Sequence, residues 1–384
     1  MHRSLLLAAR LGSAGLTCAS LAEAQGRPPI AEGVEVRVQE APMIARIDGG
    51  NVLAWEVHLT NARADTVRVS RVVVTDAAQR AIATFDDAAL ARWMQPLTRG
   101  ASPTPATIIP PGVRRVLHAW VPLSPGAPTP QRLVHAVTVS AGTSEFVTIS
   151  TAVAVSAEPP IVLSPPLRGG PWAAIYDPTL PGGHRTAIYT VDGRARIPGR
   201  FAMDFVRLPT AGAFDIRATA PDRNGFGADV LAVGDGTIVA AVDDMRDNDN
   251  TGSAPRPRFG IEAGSGNYVT LALGRGHHAF YEHLKAGSIT VRVGQRVRAG
   301  EVIGQLGHSG SSSIGPHLHF HVADANSLLG SEGRPFALQA FLERGAFADI
   351  SAFVAGRRYE EPAGGAPRQR RREMPRPNSV VMFP

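Results

Sequence analysis

Residues 315–322, GPHLHFHV, place a histidine at every second position: His317, His319 and His321. Side chains at alternate positions of a β-strand point to the same face, and neutral imidazole is the commonest protein metal ligand. His317 and His321 would lie about 13 Å apart along a strand, so at most two of the three serve one ion, or one binds it and another does chemistry. The pattern predicts a metal or catalytic site on a strand.

The composition favours strands over long helices. Of 384 residues, 44% are hydrophobic and 19% charged, with 40 glycines and 31 prolines. Residues 30–156 contain short alternating runs such as VEVRVQ and LVHAVTVS, separated by turn residues, and one helical insertion, FDDAALARWM. This spacing is typical of an immunoglobulin-like β-sandwich, here an accessory domain. We therefore predict an all-β protein.

The N-terminus predicts export. Residues 1–24 combine a basic start, an Ala/Leu-rich run and a small-residue cleavage site, the pattern of a signal peptide. A lipoprotein signal is a lesser alternative, because Gly15 stands where leucine is usual before Cys18. The expected location is periplasmic or extracellular, without a transmembrane segment in the mature chain. Cys18 is the only cysteine, so a metal site must use His, Asp, Glu or water.

Three further segments follow the sandwich. Residues 157–172 are a Pro-rich linker, and residues 173–340 contain strand and turn patterns of a second β domain. Residues 356–384 are rich in Arg and Pro and are predicted to be a disordered tail. The whole chain has a net charge of +6, and its Arg-rich tail could contact an acidic envelope polymer. Nucleic-acid binding rests on this charge alone and is not expected.

Two motifs together resemble a known family. The chain contains Tyr281-Glu282-His283-Leu284 and, further on, GPHLHF at residues 315–320. Residues 197–325 resemble the lysostaphin-like murein endopeptidases, which are zinc metallopeptidases. The resemblance implies an antiparallel β domain of the duplicated hybrid motif type, one Zn²⁺ ion, and cleavage of peptide bonds in peptidoglycan during cell-wall remodelling.

The resemblance also implies roles for individual residues. Asp204, in RFAMDF, and His319 match the family's metal ligands. His283 and His317 match the pair that flanks the catalytic water. Zinc held by three protein ligands keeps a position for water and lowers the pKa of that water to about 7.

The first ligand position departs from the family pattern. Arg200 stands four residues before Asp204, where the family has histidine, and a guanidinium has no lone pair for a metal. His184, in GGHRTAIY, is the first candidate replacement and His321 the second. Arg200 could instead pair with Asp204, or bind an acidic ligand group in the cleft.

These residues leave two hypotheses open. The leading one is an exported zinc metalloendopeptidase acting on peptidoglycan peptides. The alternative is a catalytically inactive domain of the same fold, which binds wall peptides or activates a partner cell-wall hydrolase. Arg200 favours the alternative, and metal content separates the two.

Overall fold

The computed structural model describes residues 33–97, 104–209, 224–248, 261–362 and 364–384. The predicted signal peptide, residues 1–24, lies outside them. In the described residues strands far outnumber helices and nearly all of them pair antiparallel, so the all-β prediction is confirmed. Over these same ranges, no helix has the length and apolar character needed to cross a membrane.

The N-terminal part is a sandwich of two sheets. One has the strand order β1-β3-β8-β6 with β2 also on β3, and the other has β10-β9-β4-β5 with β7 on β4 and β11 on β9. A short helix, α1 (Asp87–Trp93), coincides with the predicted insertion. The strands are β1 Val34–Arg37, β2 Met43–Ile47, β3 Gly50–Asn61, β4 Val67–Asp76, β5 Ala81–Phe85, β6 Met94–Pro96, β7 Ile108–Ile109, β8 Arg114–Pro122, β9 Arg132–Ala141, β10 Ser144–Ile149 and β11 Val153–Ala154.

The alternating sequence of these strands explains the sandwich. In β9, RLVHAVTVSA, every second residue from Leu133 to Ala141 is buried while those between are half-buried. The buried faces of both sheets form one apolar core. Trp55 in that core donates a hydrogen bond from Nε1 to His135 Nε2 over 2.9 Å, which satisfies a buried polar group.

The C-terminal part is organised around a large sheet. Its strand order is β12-β24-β26-β13-β16-β23-β20-β19-β18-β21, with β25 also on β24. Small pairs β14-β15 and β17-β22 lie outside it, and a second helix, α2 (Ile350–Val354), follows β24. The strands are β12 Ile161–Leu163, β13 Gly169–Ile175, β14 Tyr189–Val191, β15 Arg194–Arg196, β16 Met203–Arg207, β17 Asp229–Leu231, β18 Gly236–Val242, β19 Asn267–Gly274, β20 His277–Leu284, β21 Arg296–Val297, β22 Val302–Gln305, β23 Leu318–Ala323, β24 Phe336–Ala346, β25 Arg368–Glu373 and β26 Ser379–Phe383. Three 3-10 helices are His184–Thr186, Pro198–Phe201 and Ile261–Gly264 among the described residues.

The prediction of a disordered tail at residues 356–384 is wrong. β25 pairs with β24, and β26 lies between β24 and β13 with hydrogen bonds to both. The physical reason is the apolar run SVVMF in β26, whose Val380 and Val381 are fully buried. The basic composition of β25 concealed this run. Strand structure also reaches into the predicted linker 157–172, where β12 pairs with β24.

The two parts share a hydrophobic core. Met43 and Ala45 from β2 pack in the same buried cluster as Leu338 and Phe341 from β24. Met374, just after β25, is fully buried there and its N–H donates to the carbonyl of Arg46 over 2.8 Å. The sandwich is therefore packed directly against the large sheet.

We expect Phe383→Ala to lower the free energy of unfolding by about 3 kcal/mol, because a buried phenylalanine is replaced by a cavity. Phe383 is 5% exposed and its ring meets Phe205 edge-to-face at 5.6 Å between centroids. Urea denaturation would measure the loss. Val354→Ala, at a residue 53% exposed, is the control and should change stability by less than about 0.5 kcal/mol. Equal effects of the two changes would contradict the position of β26.

Candidate metal centre

The register of three neighbouring strands brings the central groups together. β16, β23 and β20 are consecutive in the large sheet. Asp204 on β16 lies opposite His319 on β23, and His319 lies opposite Glu282 on β20. Directly paired residues project to the same sheet face, so these three side chains line one cleft of about 650 Å³.

His184, Asp204 and His319 form a group that could hold a cation. His319 Nδ1 lies 3.0 Å from Asp204 Oδ1, and His184 Nε2 lies 3.3 Å from Asp204 Oδ2. One donor atom from each residue lies within 4.8 Å of the other two. Ligands about 2.0–2.2 Å from a tetrahedral zinc ion are spaced in this way. Two imidazole nitrogens and a carboxylate oxygen therefore fit a divalent transition metal.

His184 reaches Asp204 from a different part of the chain. It opens the 3-10 helix His184–Thr186, and its ring meets that of His319 edge-to-face at 4.6 Å. His321, the second candidate for a third ligand, does not join this group. Its Nδ1 lies 3.2 Å from His319 Nε2, on the opposite nitrogen of that ring.

His283 and His317 lie beside the group with defined tautomers. His283 Nδ1 is 2.8 Å from the carbonyl oxygen of Ser309, and His317 Nδ1 is 2.7 Å from that of Gly315. A carbonyl only accepts, so both Nδ1 atoms carry the hydrogen and each neutral ring has its lone pair on Nε2. The two rings are 4.6 Å apart, and His317 Nε2 lies 3.6 Å from Asp204 Oδ1.

A β-bulge turns His283 into the cleft. Adjacent residues of a regular strand face opposite sides, yet Glu282 and His283 both line this cleft. The register between β19 and β20 shifts there, and His283 has a positive φ of 64°. The His283 N–H donates to the carbonyl of Ser265 over 2.9 Å. The extra residue re-aims the side chain, a common use of bulges near functional sites.

Glu282 and His321 approach the other nitrogen of His319. Glu282 Oε1 is 3.9 Å from His319 Nε2 and 3.5 Å from His321 Nδ1. When His319 offers its Nδ1 lone pair to a cation, Nε2 carries the hydrogen and donates it to His321 Nδ1 over 3.2 Å, with the Glu282 carboxylate close by. They therefore hold the ring in the orientation that the candidate ligand group requires.

A comparison with known protein families adds an independent observation. Residues 222–330 match the model of peptidase family M23. This stretch is similar to an M23 peptidase domain. The resemblance predicted from the two motifs is confirmed over this range, which includes His283, His317 and His319. Asp204 and His184 precede the matched residues, and the folding of the chain brings them next to His319.

Several solved structures are similar to the chain. The catalytic domain of the antimicrobial peptidase lysostaphin from Staphylococcus simulans is 22% identical, with 44% of this chain and 88% of that chain covered and a TM-score of 0.23. A mutant catalytic domain of the prophage-encoded M23 protein EnpA from Enterococcus faecalis is 17% identical, with coverages of 44% and 92% and a TM-score of 0.26. The M23 metalloprotease pseudoalterin, described as coming from the deep sea, is 15% identical, with coverages of 54% and 95% and a TM-score of 0.27. No curated protein sequence matches the chain.

Arg200 does not line the cleft of the M23 domain. It is 3% exposed, and its guanidinium binds Glu56 Oε2 at 2.9 Å and Glu332 Oε2 at 2.8 Å. Both hypotheses that placed Arg200 at the cleft, as a partner of Asp204 or of an acidic ligand, are therefore wrong. The reason is that two buried carboxylates from other segments, Glu56 and Glu332, bind the guanidinium, and Arg200 is not among the residues that line the cleft.

The histidines differ in their affinity for protons. Burial lowers the pKa of His283, and the adjacent His317 and His319 lower it further, to well below its usual range. Burial also lowers the pKa of His317, although Asp204 opposes this. Burial acts the same way on His319, but the nearby carboxylates of Glu282 and Asp204 outweigh it and raise the pKa. His283 and His317 are therefore neutral bases at pH 7.

The carboxylate of Asp204 remains ionised. Burial by itself would raise its pKa, but electrostatic interactions with the His184 and His317 rings and the hydrogen bonds from His184 and His319 hold the pKa well below the usual range. An ionised carboxylate is the form that binds a cation.

Sequence reasoning missed Glu282, which lies within the Y-x-H-L motif at a position without an assigned role. The strand period predicts that Glu282 and His283 face opposite sides, and only the bulge brings both into the cleft. The available signal was an acidic residue between Tyr281 and His283 on a strand. A carboxylate that is buried at such a position needs a partner.

We expect cation binding to weaken as the pH falls below the pKa of His319, because a proton then competes for Nδ1. Affinity should fall about tenfold per pH unit for each competing proton. Competition with a chelator at several pH values would measure this dependence. Glu282→Gln should move the dependence to lower pH, because it removes a carboxylate that raises the pKa of His319. An affinity that is independent of pH would contradict imidazole ligation.

Proposed function

We propose that this protein is an exported zinc metalloendopeptidase that hydrolyses peptide bonds of peptidoglycan in cell-wall remodelling. The observation that carries the proposal is the convergence of His184, Asp204 and His319 within 4.8 Å, beside two neutral imidazoles with free Nε2 lone pairs. The M23 match of residues 222–330 supports the reaction class.

His184 Nε2, Asp204 and His319 Nδ1 would hold one Zn²⁺ ion. Three protein ligands are the usual number in catalytic zinc sites. The bound ion supplies Lewis acidity, which lowers the pKa of water and polarises the scissile carbonyl. His184 thereby replaces the histidine that the family has at the position of Arg200, and the departure at that position does not remove a ligand.

The two remaining histidines would move the proton. His317 or His283 accepts a proton at Nε2 from the attacking water as the C–O bond forms. The imidazolium then gives that proton to the nitrogen of the leaving peptide as the C–N bond breaks. The hydrogen bonds from Nδ1 to the carbonyls of Ser309 and Gly315 keep both rings in the tautomer that this role requires.

The proposed substrate is a peptide of the cell wall. Small and polar residues border the cleft, including Gly182, Gly183, Ser311 and Ser312, and they leave room for an extended peptide backbone. A periplasmic or extracellular location follows from the predicted signal peptide, and N-terminal sequencing of the mature protein from cells would test cleavage after Ala24. Nucleic acid is not an expected partner.

The decisive experiment compares zinc content with peptidoglycan hydrolysis in the full chain. His319→Ala should lose both, because it removes a ligand. His317→Gln should retain zinc and lose activity by about 10²–10⁴-fold, because it removes only a proton acceptor.

The outcomes separate the two hypotheses. A wild-type chain that binds peptidoglycan peptides, with or without zinc, but releases no new amino groups would favour the inactive binding or hydrolase-activating alternative. A chain without zinc, and without hydrolysis after zinc is added, would refute the proposed enzyme.

A further inference from the structure

The segment that carries His184 is bound to the sandwich through the next residue. Arg185 is 3% exposed and does not line the cleft. Its Nη2 donates to the carbonyls of Trp55 on β3, at 3.1 Å, and Ala119 on β8, at 2.7 Å. The same atom lies 3.0 Å from Glu56 Oε1. The backbone position of His184 is thus set by contacts with the other domain.

Glu56 joins this segment to the one that precedes Asp204. Its Oε1 faces Arg185, while its Oε2 accepts from Arg200 at 2.9 Å. Arg200 also binds Glu332, and Arg196 lies 3.4 Å from Glu332, so these carboxylates and guanidiniums form one ion-pair network. Burial would raise the pKa of Glu56, but Arg200 and Arg185 lower it to about 2. Glu56 is therefore a buried anion at neutral pH.

The two segments are also in direct backbone contact. A Cβ atom at Gly199 would lie 2.9 Å from the carbonyl oxygen of His184. The 3-10 helices His184–Thr186 and Pro198–Phe201 therefore pack too closely for either to shift alone.

From these contacts we propose that Glu56 of the sandwich is a positioning residue for the candidate metal ligand His184, acting through Arg185. The sandwich is then a structural part of the metal centre and not a separable accessory. Asp204 and His319 are held by the register of β16 and β23, so the dependence on Glu56 falls on His184. This inference rests on the zinc site in the proposed function.

The test measures zinc affinity by chelator competition in folded full-length chains. Glu56→Gln should bind zinc at least about tenfold more weakly, the size of effect found when partners of metal ligands are removed. Glu343→Gln is the matched control. Glu343 is 1% exposed and pairs with Arg370 and Arg376, and β24 is separated from β16 by β26 and β13. The Glu343→Gln protein should be less stable than the wild type but keep its zinc affinity within about twofold.

A double-mutant cycle separates positioning from general destabilisation. In a His184→Ala background, adding Glu56→Gln should weaken zinc binding little further, because the ligand through which Glu56 acts is already absent. If Glu56→Gln does not fold, Arg185→Lys replaces it in the test. This change keeps the positive charge but removes the guanidinium that donates to the sandwich backbone. It should weaken zinc binding when His184 is present.

Zinc affinity of Glu56→Gln equal to that of the wild type would overturn the inference. So would equal losses with and without His184. A wild-type chain that binds no zinc would instead refute the proposed function, and the inference would fall with it. The wild-type titration therefore distinguishes the two failures.

Discussion

The candidate site depends on the pairing of β16, β23 and β20 in one register. A shift of one residue in either ladder would turn Asp204 or Glu282 to the opposite sheet face, where Met203 and Tyr281 are buried in the core. Those apolar neighbours make the shift costly, because burying a carboxylate without a partner is strongly unfavourable. The core side of the sheet thus fixes the geometry of the polar side.

His319 occupies the centre of this arrangement and uses both ring nitrogens. Nδ1 faces Asp204, while Nε2 faces Glu282 and His321. A histidine with one nitrogen on a cation and the other on a hydrogen-bond acceptor is fixed in tautomer and orientation. His321, the third imidazole of GPHLHFHV, therefore has a supporting position, and His319 belongs to both groups of candidate ligands.

Sequence patterns were sufficient for the fold class and for most of the residues that meet in the cleft. Alternation in strands such as β9 identified the sandwich, and the spacing of His317 and His319 pointed to the site. The bulge at His283 and the partners of Arg200 were not predictable in the same way. The bulge depends on the exact register of β19 and β20, which alternation alone does not set. The Arg200–Glu56 pair joins segments 144 residues apart.

The position of β26 bears on how the molecule assembles during synthesis. β13, β16 and most of the cleft-forming strands are translated long before residues 379–383, yet β13 pairs with those residues on one side. Until they emerge, β13 and β24 retain unpaired edges of the kind that favour aggregation. Completion of the sheet therefore waits until residues 379–383 have been made, and the edges of β13 and β24 that pair with them would need protection until then.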